Sequence, residues 1–152
     1  METKLKIVSN NKKAYFSYSI SDLFICGILL TGSEIKSIRS NQVNISESYC
    51  ILNNDEVFIK NMDIARYHFC HDEDYNPTRL RKLLLKKIEI KKIKKKLNEQ
   101  GMTLIPTKVI LNTKGLAKIE VGLGKGKKTY DKRESLKKRD AKLEMDRKKR
   151  EK

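Results

Sequence analysis

The last twenty residues, Arg133 to Lys152, offer only Leu136, Ala141, Leu143 and Met145 for burial, set among dense lysine, arginine and carboxylate. Such a segment can be helical but cannot hold itself together by burial. Any core must therefore come from the residues before it. The change of character falls at Lys125-Gly126-Lys127-Lys128-Thr129-Tyr130-Asp131-Lys132-Arg133. Upstream, Ala117 to Leu123 alternates as a strand does, with Ile119, Val121 and Leu123 on one face and Lys118, Glu120 and Gly122 on the other. Glycines at 122, 124 and 126 are expected to loosen the backbone at this boundary. The expected division is a flexible start over 1–10, a folded domain over 11–124 and a basic C-terminal tail over 125–152.

Subtracting the tail from 152 residues leaves about 120, enough for one modest core. Thirty-five basic residues against nineteen acidic ones give a net charge of +16, and the partner such a surface attracts is a polyanion. The chain is rich in Lys, Ile and Asn together, so placement of charge carries more weight than its sum. No run approaches the roughly eighteen apolar residues that span a bilayer, and Met1 to Lys12 has no hydrophobic targeting core. A cytoplasmic protein without membrane contact is expected. Cys26, Cys50 and Cys70 are far apart and lack CxxC spacing, which suits reduced thiols rather than a disulfide framework.

Ala14 to Ile20 and Phe24 to Leu30 read as strands. Thr31-Gly32-Ser33 supplies a turn and an N-cap for one or two helical turns over Glu34 to Ser40, with Ile35 and Ile38 inward and Glu34, Lys36 and Arg39 outward. Asn44 to Leu52 and Glu56 to Met62 form a hairpin around Asn53-Asn54-Asp55. Asp63 to Asn76 is read as loop. Thr78 to Gln100 reads as one long helix, most clearly from Leu83 onward, since Leu84 with Ile88 and Ile90 with Ile93 and Leu97 recur at helical spacing before Gly101. A second hairpin follows around Asn112-Thr113-Lys114-Gly115. The predicted fold is mainly β: six short antiparallel strands in a small barrel or strongly curled sheet, one long helix, and one or two short helices.

His68-Phe69-Cys70-His71 lacks a further ligand group at matched spacing, so no metal site is expected. His71-Asp72-Glu73-Asp74 is a run of acids pointing in different directions, better read as a solvated loop than as a nuclease centre. Neither a nucleophile with its base nor a phosphate-cradling glycine loop appears, and no enzyme is visible. Arg79 and Arg81 are candidate RNA contacts because guanidinium both stacks on bases and grips phosphate. Lys91, Lys92, Lys94, Lys95 and Lys96 read as the solvated face of the long helix. Tyr18 and Tyr49 fit either base stacking or core packing.

Several segments are together similar to a known family. They are Asn11-Lys12-Lys13-Ala14, Gly27-Ile28-Leu29-Leu30-Thr31-Gly32-Ser33-Glu34-Ile35-Lys36-Ser37-Ile38-Arg39, Asn44 with Ser48-Tyr49, Pro77-Thr78-Arg79-Leu80-Arg81-Lys82-Leu83-Leu84-Leu85, and Gly126-Lys127-Lys128-Thr129-Tyr130-Asp131-Lys132-Arg133. In this order they resemble the signature segments of the SsrA-binding protein (small protein B) family, from about Asn11 to the end. The resemblance implies an oligonucleotide-binding-fold barrel that binds the tRNA-like domain of transfer-messenger RNA in bacterial ribosome rescue. It further implies a tail that contacts small-subunit rRNA, enters the empty messenger channel of a stalled ribosome and becomes helical there. The protein would be a monomeric adaptor working with the elongation factor Tu complex, with no cofactor and no catalysis of its own.

Carried over by resemblance, Leu84, Lys86 and Lys118 match RNA-contact positions, with Asn11 and Lys12 as further candidates, and Lys125, Lys127 and Lys128 match a basic hinge. Tyr130 matches a residue that stacks in the decoding centre, Asp131, Lys132 and Arg133 open the tail, and Lys137 and Arg139 extend the ribosome contact. Ile25 and Cys26 stand where the family commonly has an acidic residue and an alanine, so no acidic RNA contact is assigned. Arg147-Lys148-Lys149-Arg150 stands where relatives often show an apolar pair. The alternatives are a structural ribosomal or general RNA-binding barrel, which needs no such hinge and tail, and an RNA-processing nuclease.

Overall fold

The computed structural model describes residues 5–71, 73–99 and 101–127. Among these, nine strands and three helices follow in the order β1 (Lys6–Asn10), α1 (Lys12–Ser17), β2 (Tyr18–Ile28), α2 (Gly32–Arg39), β3 (Val43–Asn44), β4 (Tyr49–Asn53), β5 (Glu56–Lys60), β6 (Asp63–Ile64), β7 (Arg81–Leu84), α3 (Lys87–Leu97), β8 (Met102–Leu111) and β9 (Ala117–Gly126). Seven strands form one antiparallel sheet in the order β1-β8-β9-β2-β7-β5-β4, and β3 pairs with β6. β4, at one end of that order, packs against β8 near the other, so the sheet curls around its own core. The protein is mainly β, as expected, with more strands than the six predicted.

Alternation builds the longest pair. Along β9, Ile119, Val121 and Leu123 are fully buried while Lys118 and Glu120 are only partly covered. They meet Val109 and Leu104 of β8 and Phe24, Cys26 and Ile28 of β2 in one cluster, which Ile93 of α3 and Ile38 of α2 close from outside the sheet. The β4–β5 hairpin turns through Asn54 (φ 51°) and Asp55 (φ 61°), the left-handed pair that a two-residue hairpin requires and that Asn and Asp tolerate.

Four expectations are corrected. Lys6–Asn10 is a strand paired with β8 rather than a flexible start, because its backbone completes the edge of that long strand. Ala14 to Ile20 is not a strand throughout: Asn11 Oδ1 accepts from the Ala14 N–H at 3.1 Å and starts α1, and β2 begins only at Tyr18. The helix expected from Thr78 is interrupted, since Arg81–Leu84 fills the gap between β2 and β5 and α3 starts at Lys87. The glycines of β9 do not loosen a boundary. A Cβ at Gly122 would stand 2.6 Å from Ile20 Cγ2, and one at Gly124 would stand 3.0 Å from Ile105 Cδ1, so these glycines let neighbouring side chains lie on the strand. β9 continues to Gly126, and the Lys127 N–H still donates to Ser17 O at 2.9 Å.

The stretch read as loop, Asp63 to Asn76, begins with the two-residue β6, and the rings of Tyr67, His68 and Phe69 contact one another within it. No described helix is long and apolar enough to cross a membrane.

Candidate nucleic-acid interface

The sheet register assembles the first candidate surface. Gly27 of β2 lies opposite Leu84 of β7 on one side and Lys118 of β9 on the other. Two residues that are far apart in the chain thus flank one glycine. Having no side chain, Gly27 leaves a groove of about 350 Å³ whose walls include Ile35 and Arg39 of α2 and Leu116 beside Lys118. Two apolar side chains of its lining are exposed, Leu84 at 48% and Leu116 at 52%, and Ile25 and Leu29, two residues to either side of Gly27, are exposed at 54% and 50%. Lys86 is exposed just beyond Leu84. An apolar floor rimmed by Lys118 and Arg39 suits a ribose or base edge with its phosphates.

Arg39 is held in place at this rim. Its Nε and Nη2 both donate to Gly115 O, at 3.2 and 3.0 Å. Gly115 (φ +77°) belongs to the β8–β9 turn, where Asn112 Oδ1 accepts from the N–H groups of Lys114 and Leu116. The turn was legible in Asn112-Thr113-Lys114-Gly115; its grip on Arg39 was not.

Glu34, next to Ile35 in α2, orders that helix and the loop leading to β7. Glu34 Oε1 accepts from the Thr31 N–H at 2.8 Å and the Glu34 N–H donates to Thr31 Oγ1, a reciprocal cap of α2. Arg79 Nη2 donates to Oε1 at 2.7 Å and Arg81 Nε to Oε2 at 2.5 Å. Arg81 also donates to Met62 O and Pro77 O. Burial pushes the Glu34 carboxyl up, but the hydrogen bonds from Arg79, the Thr31 N–H and Arg81 outweigh it and hold it below the ordinary carboxylate range. Glu34 is therefore buried, not outward as its place in the helical pattern predicts.

This arrangement sorts the residues predicted to bind. Leu84 and Lys118 come together across Gly27, while Lys86 is exposed two residues beyond Leu84. Arg81 does not join them as a contact: it is fully buried, with its donors committed to Glu34 and to two carbonyls. Arg79 stays partly exposed while tied to Glu34. Asn11 is likewise buried, since its amide donates to Pro106 O at 2.9 Å and Ile45 O at 3.2 Å while its oxygen caps α1. Lys12 is exposed beside it.

A second groove, about 560 Å³, lies where β9 ends, between α1 and the segment from Ser46 to Tyr49. Tyr18, Tyr49 and Lys127 line it, and Lys13 bridges to Glu47 on its wall. Lys125 is exposed nearby on β9. Lys128, Tyr130, Asp131, Lys132, Arg133, Lys137 and Arg139, with the rest of the tail from residue 128 on, lie outside the described residues.

At the position before Gly27, Cys26 is buried and its thiol donates to Ile119 O at 3.4 Å. Burial, with the Glu89 carboxylate adding to it, pushes this thiol up to about 12, and burial raises Cys50 as well, so neither is a reactive thiolate. No group of histidine, cysteine and carboxylate among the described residues could hold a metal ion.

Fold and groove define a small antiparallel-β protein with a cationic, partly apolar surface of the kind that binds RNA. The family model described as SmpB protein matches residues 8–151. An SsrA-binding protein of Flavobacterium psychrophilum is 48% identical over 93% of this chain and 94% of its own length. Relatives of the same name from Desulfitobacterium hafniense and Thermosipho africanus are 46% and 44% identical, covering 94% and 90% of this chain and 91% of their own lengths. A solved chain described as "tmRNA-SmpB: a journey to the center of the bacterial ribosome" superposes with a TM-score of 0.68 at 34% identity, covering 84% of this chain and 93% of that one. The chain belongs to the SmpB, or SsrA-binding protein, family.

Proposed function

We propose that this protein is an RNA-binding adaptor: it binds the tRNA-like domain of transfer-messenger RNA and delivers that RNA to stalled ribosomes for trans-translation. The observation that carries the reading is the convergence of Leu84 and Lys118 on Gly27, which turns three separated segments into one groove. Membership of the SsrA-binding family and likeness to a tmRNA–SmpB chain on the bacterial ribosome support it.

In this reading Lys86 and Lys118 hold phosphates, Leu84 and its apolar neighbours receive a ribose or an unstacked base, and Arg79 with Lys12 adds charge at the margins. Arg81 and Asn11 act from within, by fixing the loops that carry the contacts. The body that binds RNA runs from β1 to the end of β9, Lys6 to Gly126, and the residues after it act as the tail. Lys125, Lys127 and Lys128 guide that tail, and Tyr130 to Arg133 with Lys137 and Arg139 meet the decoding centre and messenger channel. Peptide transfer belongs to the ribosome, so the protein acts without chemistry of its own, as a cytoplasmic monomer alongside elongation factor Tu.

The test is binding of the purified protein to the tRNA-like domain of its transfer-messenger RNA, against an ordinary tRNA competitor at near-physiological salt, because phosphate contacts dominate such affinities. Tight, selective binding is expected. Weak binding that follows charge alone would favour a general RNA-binding protein.

A further inference from the structure

We propose that α3 carries a second phosphate-binding face, continuous with the groove at its N-terminal end and running along the backbone of the same RNA. The inference rests on the RNA-binding reading above. The inner side of α3 is set by Ile90, Ile93 and Leu97, which pack on the core. The helical period then turns Ile88, Lys91, Lys92 and Lys95 outward, with Lys87 at the edge, and all five are exposed. Ile88, at 75%, is the most exposed of the protein's large apolar side chains among the described residues.

The carboxylates near this face are engaged by other groups, and Asp55, which lines one cleft with Lys87 and Lys91, is held by Lys94. Lys94 pairs with Asp55 at 3.0 Å, Lys96 with Glu99 at 3.6 Å, and Lys82 with Glu56 at 3.3 Å. Glu89 accepts from the Lys86 N–H at 3.0 Å. Lys92 lies over the Phe24 ring, 5.8 Å from its centroid. Among the described residues no ion pair involves Lys87, Lys91 or Lys95.

Their spacing is unfavourable for the free protein. Lys87, Lys91 and Lys95 repeat every four residues, about 6 Å per step along the axis, and like charges so placed destabilise a helix. Lys86 and Lys87 also sit at the helix N-terminus, where the dipole disfavours cations. A phosphate backbone lying along this face removes both penalties, and Ile88 between the lysines offers an apolar rest for a ribose. Lys86, between Leu84 of the groove and the first turn of α3, joins the two surfaces.

The experiment compares wild type, the double variant K91A/K95A and the control K60A, an exposed β5 lysine remote from the β4–β5 turn that faces α3. Binding to the isolated tRNA-like domain is measured at about 50 and 200 mM salt. Loss of two phosphate contacts lowers the slope of log K against log salt by about 1.4 to 1.8, so wild type should lose roughly tenfold more affinity than K91A/K95A between the two salts. K60A should follow wild type. K91A/K95A should unfold at the same temperature as wild type or higher, because alanine favours helix and the like-charge pairs are gone, which separates the binding effect from misfolding. An unchanged slope in K91A/K95A, on an RNA that wild type selects over ordinary tRNA, would overturn the inference and leave the adaptor reading standing. An equal loss in K60A would reduce the effect to net charge and overturn it as well. Failure of wild type to select that RNA would instead overturn the adaptor reading.

Discussion

Arg81 Nε donates to Glu34 Oε2 at 2.5 Å between two side chains withdrawn from solvent, joining β7 to α2 across 47 residues of chain. Both elements contribute residues to the groove, and loss of the pair should be felt as lost stability before lost binding. Removing one partner of a buried ion pair strands the other, at a cost of about 3–5 kcal/mol. Glu34→Ala is expected to lower unfolding free energy by that order in urea titration. Arg81→Lys should not rescue the fold, because one ammonium cannot reach Glu34, Met62 O and Pro77 O together.

Glu34 also predicts an acid limb. Its folded-state pKa lies below the ordinary value, so the unfolded chain binds the proton more readily. The stabilisation is then fully present above the unfolded pKa of about 4.3 and is lost as pH falls through the folded one. Wild type should exceed Glu34→Gln in stability at neutral pH, with the gap narrowing once the pH drops below about 4. A gap constant with pH would mean that the carboxylate charge contributes nothing.

The groove can be probed without disturbing the core. A Cβ at Gly27 would meet Leu84 at 3.5 Å, an ordinary contact, so Gly27→Ala should fold normally. Its methyl group narrows the floor between Leu84 and Lys118, and affinity for the tRNA-like domain should fall. Lys118→Ala should lower the salt slope by about 0.7–0.9, the signature of one lost phosphate contact. Unaltered binding in both variants would remove the groove as the RNA site.

Two glycines of β9 should behave in opposite ways. Gly122→Ala drives a Cβ into Ile20 Cγ2 at 2.6 Å and should destabilise by about 1–3 kcal/mol, the usual range for overpacking. Gly126→Ala meets nothing within 4 Å and should leave the thermal midpoint unchanged. Calorimetry on the two variants decides it.

A chain ending at Arg133 should remain folded and bind RNA, since the hydrophobic cluster among the described residues ends at Leu123. It should nonetheless fail in a trans-translation assay, because the tail proposed to sense the messenger channel is gone. Normal peptide tagging by this truncation would refute the role proposed for residues 134–152.

Local lettering was enough for the elements whose pattern matches their surroundings. Ile119, Val121 and Leu123 alternate because β9 has one buried face, and Asn54-Asp55 announces its own turn. It misled where a segment obeys a distant partner. Leu83 to Leu85 continues the apolar period of α3 so smoothly that Arg81–Leu84 reads as helix, yet β2 and β5 leave an empty place that only a strand fills. Tyr15-Phe16-Ser17-Tyr18 alternates like a strand, and the Asn11 cap overrules it.

By itself the sequence determined a basic chain with a core confined to its first four-fifths, antiparallel hairpins and family-specific motifs, because these rest on neighbours along the chain. Only the tertiary structure decided what each motif residue does. Arg79, Arg81, Leu84 and Lys86 are near neighbours in sequence, but the register of β7 between β2 and β5 buries Arg81 against Glu34 while leaving Leu84 exposed across Gly27 from Lys118. Burial and ion pairing are settled by residues brought close in space, and no local pattern encodes which partner will arrive.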